Sequence, residues 1–288
     1  MIFTLDFPGD DTLEFRDTGN KSPAGHVTDT MCKPDITVAL ESHWKDGVGV
    51  VPWPFIRLAG ETASAGKTRD EQRVQAISYL HYLLLARPDL YVAQGLLSSD
   101  NGVTFLFGIG GEGIRQFDVE RKDKDFNKLL YAFIYRLYDP GNFADSSYIK
   151  TEFNDKTTAT YTINIIDQGG TKECPGFYSI YARNPFATRT HVLSNPNFHG
   201  GTHFTVLKDQ LCRRGRRFTE VEILDEYVHK PEGVPGVVVA AYGERINHPL
   251  SKERCKHRLG LGESGSPFMS ISTLSKVLET LFDVLEGI

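Results

Sequence analysis

One lysine and one glutamate in the stretch 203–227 have the surroundings of a functional ion pair. Lys208 follows the apolar run "HFTVL", a pattern typical of a strand. Glu220 precedes, by three, four and seven residues, the apolar positions of one helical face: Ile223, Leu224 and Tyr227. A buried ammonium is costly unless a carboxylate meets it, so we predict a Lys208–Glu220 pair able to orient a phosphate. The alternative is that Lys208 extends from an edge strand into water while Glu220 caps the helix start.

Two other motifs suggest chemistry but have the wrong spacing. The stretch "GETASAGKT" (60–68) resembles a phosphate-binding loop, but five residues separate its glycines where four are required, and Glu61 stands at the glycine position. A P-loop NTPase, with "INIID" (163–167) as its magnesium strand, therefore stays an alternative only. The histidines of "HGGTH" (199–203) lie in a glycine-rich stretch, which favours a turn over a metal site.

A further group of polar residues in 33–80 resembles the restriction-nuclease-like fold. In that fold acidic groups hold Mg²⁺ and a lysine assists, and Asp35, Glu61, Gln75 and Tyr79 stand at matching positions. Ala63 occupies the place of the lysine. With two carboxylates and no lysine there, we expect at most a degenerate nuclease-like fold without metal-dependent hydrolysis.

The elements that must position these residues follow from the apolar periodicity. Helical spacing predicts helices over 69–86 and 125–139, which Pro88 and Pro140–Gly141 end. Strands are predicted at 33–40, 55–61, 91–97, 103–109 and 114–119. Gly, Pro and polar residues near 169–175 predict a boundary between an accessory domain, 1–170, and a second domain, 171–288. The second domain is predicted to contain short strands, a helix over 216–229 and a helix over 272–287.

Composition excludes several classes of protein. The 288 residues are 40% hydrophobic and 24% charged, as in an ordinary globular protein, and the net charge of −5 gives no reason to expect nucleic acid or a membrane as partner. The four cysteines show no C-x-x-C spacing, which indicates a reducing compartment. The N-terminus does not resemble a signal peptide, and the longest apolar run is far shorter than the ~20 residues that span a bilayer. We therefore expect a cytoplasmic or nuclear protein.

The order of motifs in the second domain resembles that of the fungal-type protein kinase family. Five elements of that family stand here in sequence: "VLKD" (206–209), "RFTEVEIL" (217–224), "GVP" (233–235), "RLGLGESGSP" (258–267) and "DVLEG" (283–287). Upstream, "KPDI" (33–36) and "QAISY" (75–79) are also similar to the family's N-terminal region. The resemblance therefore covers nearly the whole chain.

This resemblance implies an α+β fold, with a mixed N-terminal sheet and its helices followed by a protein-kinase-like small lobe. It also implies ATP and Mg²⁺ as cofactors, ATP-dependent phosphorylation of protein Ser/Thr as the family activity, and four nucleotide-contacting residues: Lys208, Glu220, Thr190 and Glu263. However, Ala187 replaces the leading glycine of the phosphate loop, and no H-R-D or D-F-G occurs in the sequence. We therefore expect an inactive fragment or pseudokinase that binds ATP weakly or not at all and is prone to self-association. The alternative is a scaffold module for an unidentified protein partner.

Overall fold

The computed structural model describes residues 3–5, 11–19, 21–26, 28, 31–44, 49–64, 66–154, 158–167, 169–198, 204–215, 220–224 and 240–262. Several predictions lie outside these residues: the "HGGTH" stretch (199–203), the "GVP" turn (233–235), Glu263 and the helix over 272–287. Within the described residues the fold is mixed α+β and consists mostly of sheet.

The first sheet contains, among the described residues, seven strands in chain order. They are β1 (Phe3–Leu5), β2 (Leu13–Asp17), β3 (Ile36–Leu40), β4 (Leu58–Thr62), β5 (Val92–Ser99), β6 (Gly102–Ile109) and β7 (Gly113–Glu120). Neighbouring strands are antiparallel except β4 and β5, which run parallel because helix α1 (Arg69–Ala86) connects them.

Helix α1 begins and ends where the sequence predicts. Thr68 caps it through the Glu71 backbone N–H, and the Glu71 side chain accepts from the Thr68 N–H in return. The helix ends before Pro88. Its buried residues, including Leu80, pack on one face of the first sheet against Ala59, Ala93 and Leu106. The opposite face is covered by α2 (Phe126–Tyr138), through Phe133 and Leu137.

The second sheet is antiparallel throughout and forms most of the rest of the described chain. Its strands are β8 (Tyr148–Asn154), β9 (Thr158–Asp167), β10 (Gly170–Arg183), β11 (Thr190–Ser194), β12 (Val206–Arg213), β13 (Ala240–Asn247) and β14 (Arg254–Leu261). Their spatial order is β13-β14-β12-β11-β10-β9-β8. A short helix, α3 (Glu220–Glu222), lies between β12 and β13 in the chain.

The change from one sheet to the other comes earlier than the boundary predicted near 169–175. That position lies in the tight connection between β9 and β10, which pair in one sheet. The first strand of the second sheet is β8, so the change of sheet lies between α2 and β8. The polar run "TEFNDKTTAT" covers much of β8, which lacks the apolar content of a core strand because none of its described side chains is fully buried.

The second sheet packs against α1 and the end of the first sheet. Leu211 of β12 contacts Tyr91, Val92 and Ile109 in one buried cluster. The Tyr161 hydroxyl donates to the Ala86 carbonyl at the end of α1. The layers therefore run α2, first sheet, α1, second sheet. No helix in the described part of the chain is long and apolar enough to cross a membrane.

Candidate functional site

The predicted ion pair between Lys208 and Glu220 is present. The Lys208 Nζ lies 2.8 Å from Oε1 and 2.6 Å from Oε2 of Glu220. Lys208 is on β12, which pairs with β11 on one side and β14 on the other, so it is not on an edge strand. The pair is less buried than predicted, since the side chains of Lys208 and Glu220 are 23% and 41% exposed. Its ammonium is therefore accessible to a ligand.

The helical face predicted for Glu220 is only partly apolar and inward. Within the described residues of that helix, 220–224, Leu224 is buried but Ile223 is 43% exposed. Glu220 therefore reaches Lys208 from the margin of the core.

Lys208 has apolar cross-strand neighbours, Val192 and Leu259, and polar side chains further along its face of the sheet. Side chains of a strand alternate between faces, so Gln210 shares the face of Lys208. Thr190 of β11 lies opposite Gln210, whose Nε2 donates to the Thr190 hydroxyl at 3.3 Å. Thr190 is half-buried and belongs to this face. The Lys208 ammonium, the Thr190 hydroxyl and the Gln210 amide thus lie on the same face.

The segment between β10 and β11, where the phosphate loop is predicted, is bound to the first unit of the fold. The buried Arg189 guanidinium donates to the carbonyls of Leu84, Arg87 and Leu90 at the end of α1. The Leu84 carbonyl is one that the helix end otherwise leaves without a backbone partner, because Pro88 has no N–H. The Ala187 N–H is already bonded to the Asn184 carbonyl at 3.3 Å. The Ala187 N–H and the Arg189 guanidinium are therefore already bonded within the protein.

The opposite face of β12 carries a buried cluster of charges that sequence reasoning missed. Asp209 accepts from Nε and Nη2 of Arg258, both at 2.8 Å, and from Lys256 Nζ at 2.9 Å. Lys256 also bonds to Asp145, which precedes β8, and the Tyr148 hydroxyl donates to Asp209 at 2.9 Å. The four charged side chains are at most 6% exposed.

The charges in this cluster compensate each other. Asp145 and Asp209 balance Lys256 and Arg258, so the cluster is neutral as a whole. Burial and the Asp209 carboxylate raise the pKa of the Tyr148 hydroxyl well above its usual range, so it stays a hydrogen-bond donor. Alternation of "KHRLGLG" along β14 was the one signal in the sequence that placed Lys256 and Arg258 on one face.

The structure also brings together the four nuclease-like residues at the end of β4. Glu61 is 1% exposed, and its Oε2 lies 2.9 Å from the Tyr79 hydroxyl, which accepts from Gln75 Nε2 at 2.7 Å. Asp35 accepts from the backbone and side chain of Thr62 on the same strand. Burial raises the pKa of Glu61, and the Asp35 charge contributes in the same direction.

Lys67 joins this cluster and was also missed. Its Nζ lies 3.3 Å from Glu61 Oε1 and 2.8 Å from Gln75 Oε1. The ammonium comes from the turn before α1 and not from the strand position of Ala63, so no E-x-K spacing announces it. This contact also turns the lysine of the P-loop-like stretch toward the protein.

The carboxylates of this cluster are bonded to protein groups. Both Glu61 oxygens and one Asp35 oxygen are engaged by protein donors. The described residues contain no group of three His, Cys, Asp or Glu side chains that could hold a metal ion. The cluster is a closed hydrogen-bond network around a buried carboxyl.

Of the four cysteines, Cys32 is half-buried and Cys174, Cys212 and Cys255 are buried. Comparisons of the chain with models of protein families, with curated proteins and with solved structures find no match. The function is therefore argued from the geometry around Lys208.

Proposed function

We propose that the second sheet and α3 form a protein-kinase-like small lobe whose Lys208–Glu220 pair orients nucleotide phosphates in a chain that does not itself transfer phosphate. The observation that carries this proposal is the bidentate contact between Lys208 and Glu220, at 2.6 and 2.8 Å. In protein kinases an equivalent lysine–glutamate pair holds the lysine against the phosphates of ATP.

The position of the pair in the fold supports the same proposal. In a kinase small lobe the lysine is on the third strand and the glutamate is on the helix that follows it. Counted from β10, Lys208 is on the third strand, and Glu220 begins α3, the next element along the chain. The strand containing Lys208 lies inside the sheet, so its backbone is fixed on both sides.

The first unit of the fold leaves this pair accessible. It packs on the face of β12 that carries Asp209 and Leu211, whereas Lys208 points to the other face. An accessory unit placed in this way supports the lobe on the face opposite Lys208. This arrangement is also compatible with a scaffold role.

Two features support a non-catalytic chain. The 288 residues contain no H-R-D or D-F-G sequence, whose aspartates supply the base and bind Mg²⁺ in kinases. The Ala187 N–H donates to a carbonyl of its own segment, and Arg189 binds this segment to the end of α1. Lys208 is thus the principal phosphate contact that the described residues provide. One lysine offsets little of the cost of immobilising a triphosphate, so we expect weak ATP binding.

The test is a calorimetric titration with ATP and Mg²⁺, with a radiolabel assay for phosphate transfer. We expect a Kd in the millimolar range, loss of binding in Lys208→Ala and reduced binding in Glu220→Gln. Lys122→Ala is the matched control, since Lys122 forms a surface pair with Glu120 at 2.8 Å away from this sheet.

Each outcome of these experiments supports or contradicts a part of the proposal. Binding that survives Lys208→Ala unchanged would show that the pair is structural and that the nucleotide proposal is wrong. A wild-type chain that binds no ATP at all favours the scaffold alternative. Micromolar affinity with phosphate transfer that depends on Lys208 would contradict the non-catalytic part.

A further inference from the structure

A cleft lies where the first sheet meets β8, away from the Lys208 pair. Its volume is about 500 Å³, within the range of small-molecule sites. Its charged and aromatic lining includes His43, Phe55, Arg57, Arg87, Asp89, Asp139, Asp145, Tyr148 and Lys150. Both sheets contribute to it, so the cleft exists only when the two units pack together.

Arg57 is the cation of this cleft that has no anionic partner. Its backbone N–H donates to the Val38 carbonyl, but its guanidinium makes no hydrogen bond or ion pair with any described residue. Arg57 is half-buried. Burial and the neighbouring Arg87 lower the pKa of Arg57 to about 10, so it stays charged at neutral pH. A partly buried charge without a partner is costly to the fold.

The other charges that face the cleft are already committed. Arg87 donates to both oxygens of Asp89 and to the Ile56 carbonyl. Asp145 belongs to the buried cluster with Lys256 and Arg258, and Lys150 pairs with Glu152 at 2.7 Å. The remaining carboxylates are Asp139, which is exposed and accepts from the Gly141 N–H, and nearby Asp11, which accepts from Ser42.

His43 lines the same cleft and lies close enough to Arg57 to be affected by its charge. Its Nδ1 is buried and has no hydrogen-bond partner among the described residues, and its ring packs on Phe55 with centroids 4.3 Å apart. Burial and the Arg57 charge lower the pKa of His43 to about 4, so the imidazole is neutral at pH 7.

We propose that this cleft binds a small molecule through a carboxylate or phosphate group, with the Arg57 guanidinium as its ionic partner. Arginine presents a planar fork that matches both kinds of oxyanion. The ring of Phe55 gives the cleft an apolar wall for the body of the ligand. The inference does not depend on nucleotide binding at Lys208.

The experiment measures the melting temperature of the wild-type chain in inorganic phosphate, in acetate and in sodium chloride at equal ionic strength. We expect phosphate or acetate to raise it beyond chloride, by about 5 °C at ~100 times Kd. The response is lost in Arg57→Gln and kept in Arg115→Gln, whose arginine is 75% exposed and lies on β7. Phosphate and acetate separate the two ligand chemistries.

A second readout separates a binding arginine from a structural one. Without added oxyanion, Arg57→Gln melts at the wild-type temperature or above it, because the variant removes an uncompensated charge. An equal response to all three salts, or an equal response of wild type and Arg57→Gln, would overturn the proposal. If Arg57→Gln does not fold, Arg57→Lys decides: we expect about tenfold weaker phosphate binding by equilibrium dialysis, and unchanged binding would overturn the proposal.

Discussion

Replacing Asp209 with asparagine is expected to destabilise the whole chain. Asp209 accepts four hydrogen bonds, two from Arg258, one from Lys256 and one from Tyr148. The substitution preserves the shape of the side chain but removes its charge. The cluster, neutral in the wild type, then holds one uncompensated cation between the two sheets.

The size of the effect follows from burial. Lys256 is 4% exposed, and Arg258 is fully buried, so neither cation can turn to water. Breaking a buried ion pair by removing one partner costs about 3–5 kcal/mol. The unfolding free energy of a chain of this length falls with urea concentration at a slope near the upper end of the usual range. The loss therefore lowers the urea midpoint of unfolding by about 1–2 M.

Urea unfolding followed by circular dichroism measures this change. Asp70→Asn is the matched control, because the Asp70 side chain is 89% exposed and its pair with Arg73, at 3.6 Å, contributes less than about 1 kcal/mol. An Asp209→Asn midpoint as close to wild type as that of Asp70→Asn would refute the reasoning, since the cluster would then be solvated in solution.

Two further predictions concern stability. His248 is buried, and burial lowers its pKa to about 4. Between pH 6.5 and 4 the unfolded chain therefore binds a proton at this histidine that the folded chain does not bind. The free energy of unfolding should fall as pH decreases through this window, less steeply in His248→Gln, and an identical slope in both proteins would contradict the assignment. Gly102→Ala should cost at least about 1–3 kcal/mol, because the new Cβ would overlap the Val119 carbonyl and lie 2.9 Å from the Glu120 Cα; an unchanged thermal midpoint would show that the β6–β7 pairing adjusts freely.

Local patterns predicted the elements of the first unit well. The helix expected over 69–86 is α1, with the same bounds, because a capping signal at Thr68 and a stop at Pro88 frame a strongly periodic run. The strand predictions at 91–97, 103–109 and 114–119 correspond to β5, β6 and β7. These elements obey local rules, so one sequence is enough to place them.

Contacts between distant segments were harder to predict. The Lys208–Glu220 pair was predicted because the two residues are only a dozen residues apart, one in a strand and one in the helix after it. Asp145 and Lys256 are 111 residues apart, and charged residues are usually solvated, so nothing local indicated that they meet. Lys67 was missed because the chain turns back between β4 and α1, which spacing alone does not show.

The alternation of Lys208 and Asp209 along β12 has a consequence for how this gene can change. Adjacent residues of a strand face opposite ways, so inserting or deleting one residue within Val206–Arg213 would exchange the two faces from that point on. A lysine would then enter the neutral cluster between the sheets, and an aspartate would meet Glu220. Substitutions test these two environments separately, but a change of length disturbs both at once. The number of residues in β12 is therefore under a stricter constraint than their identities.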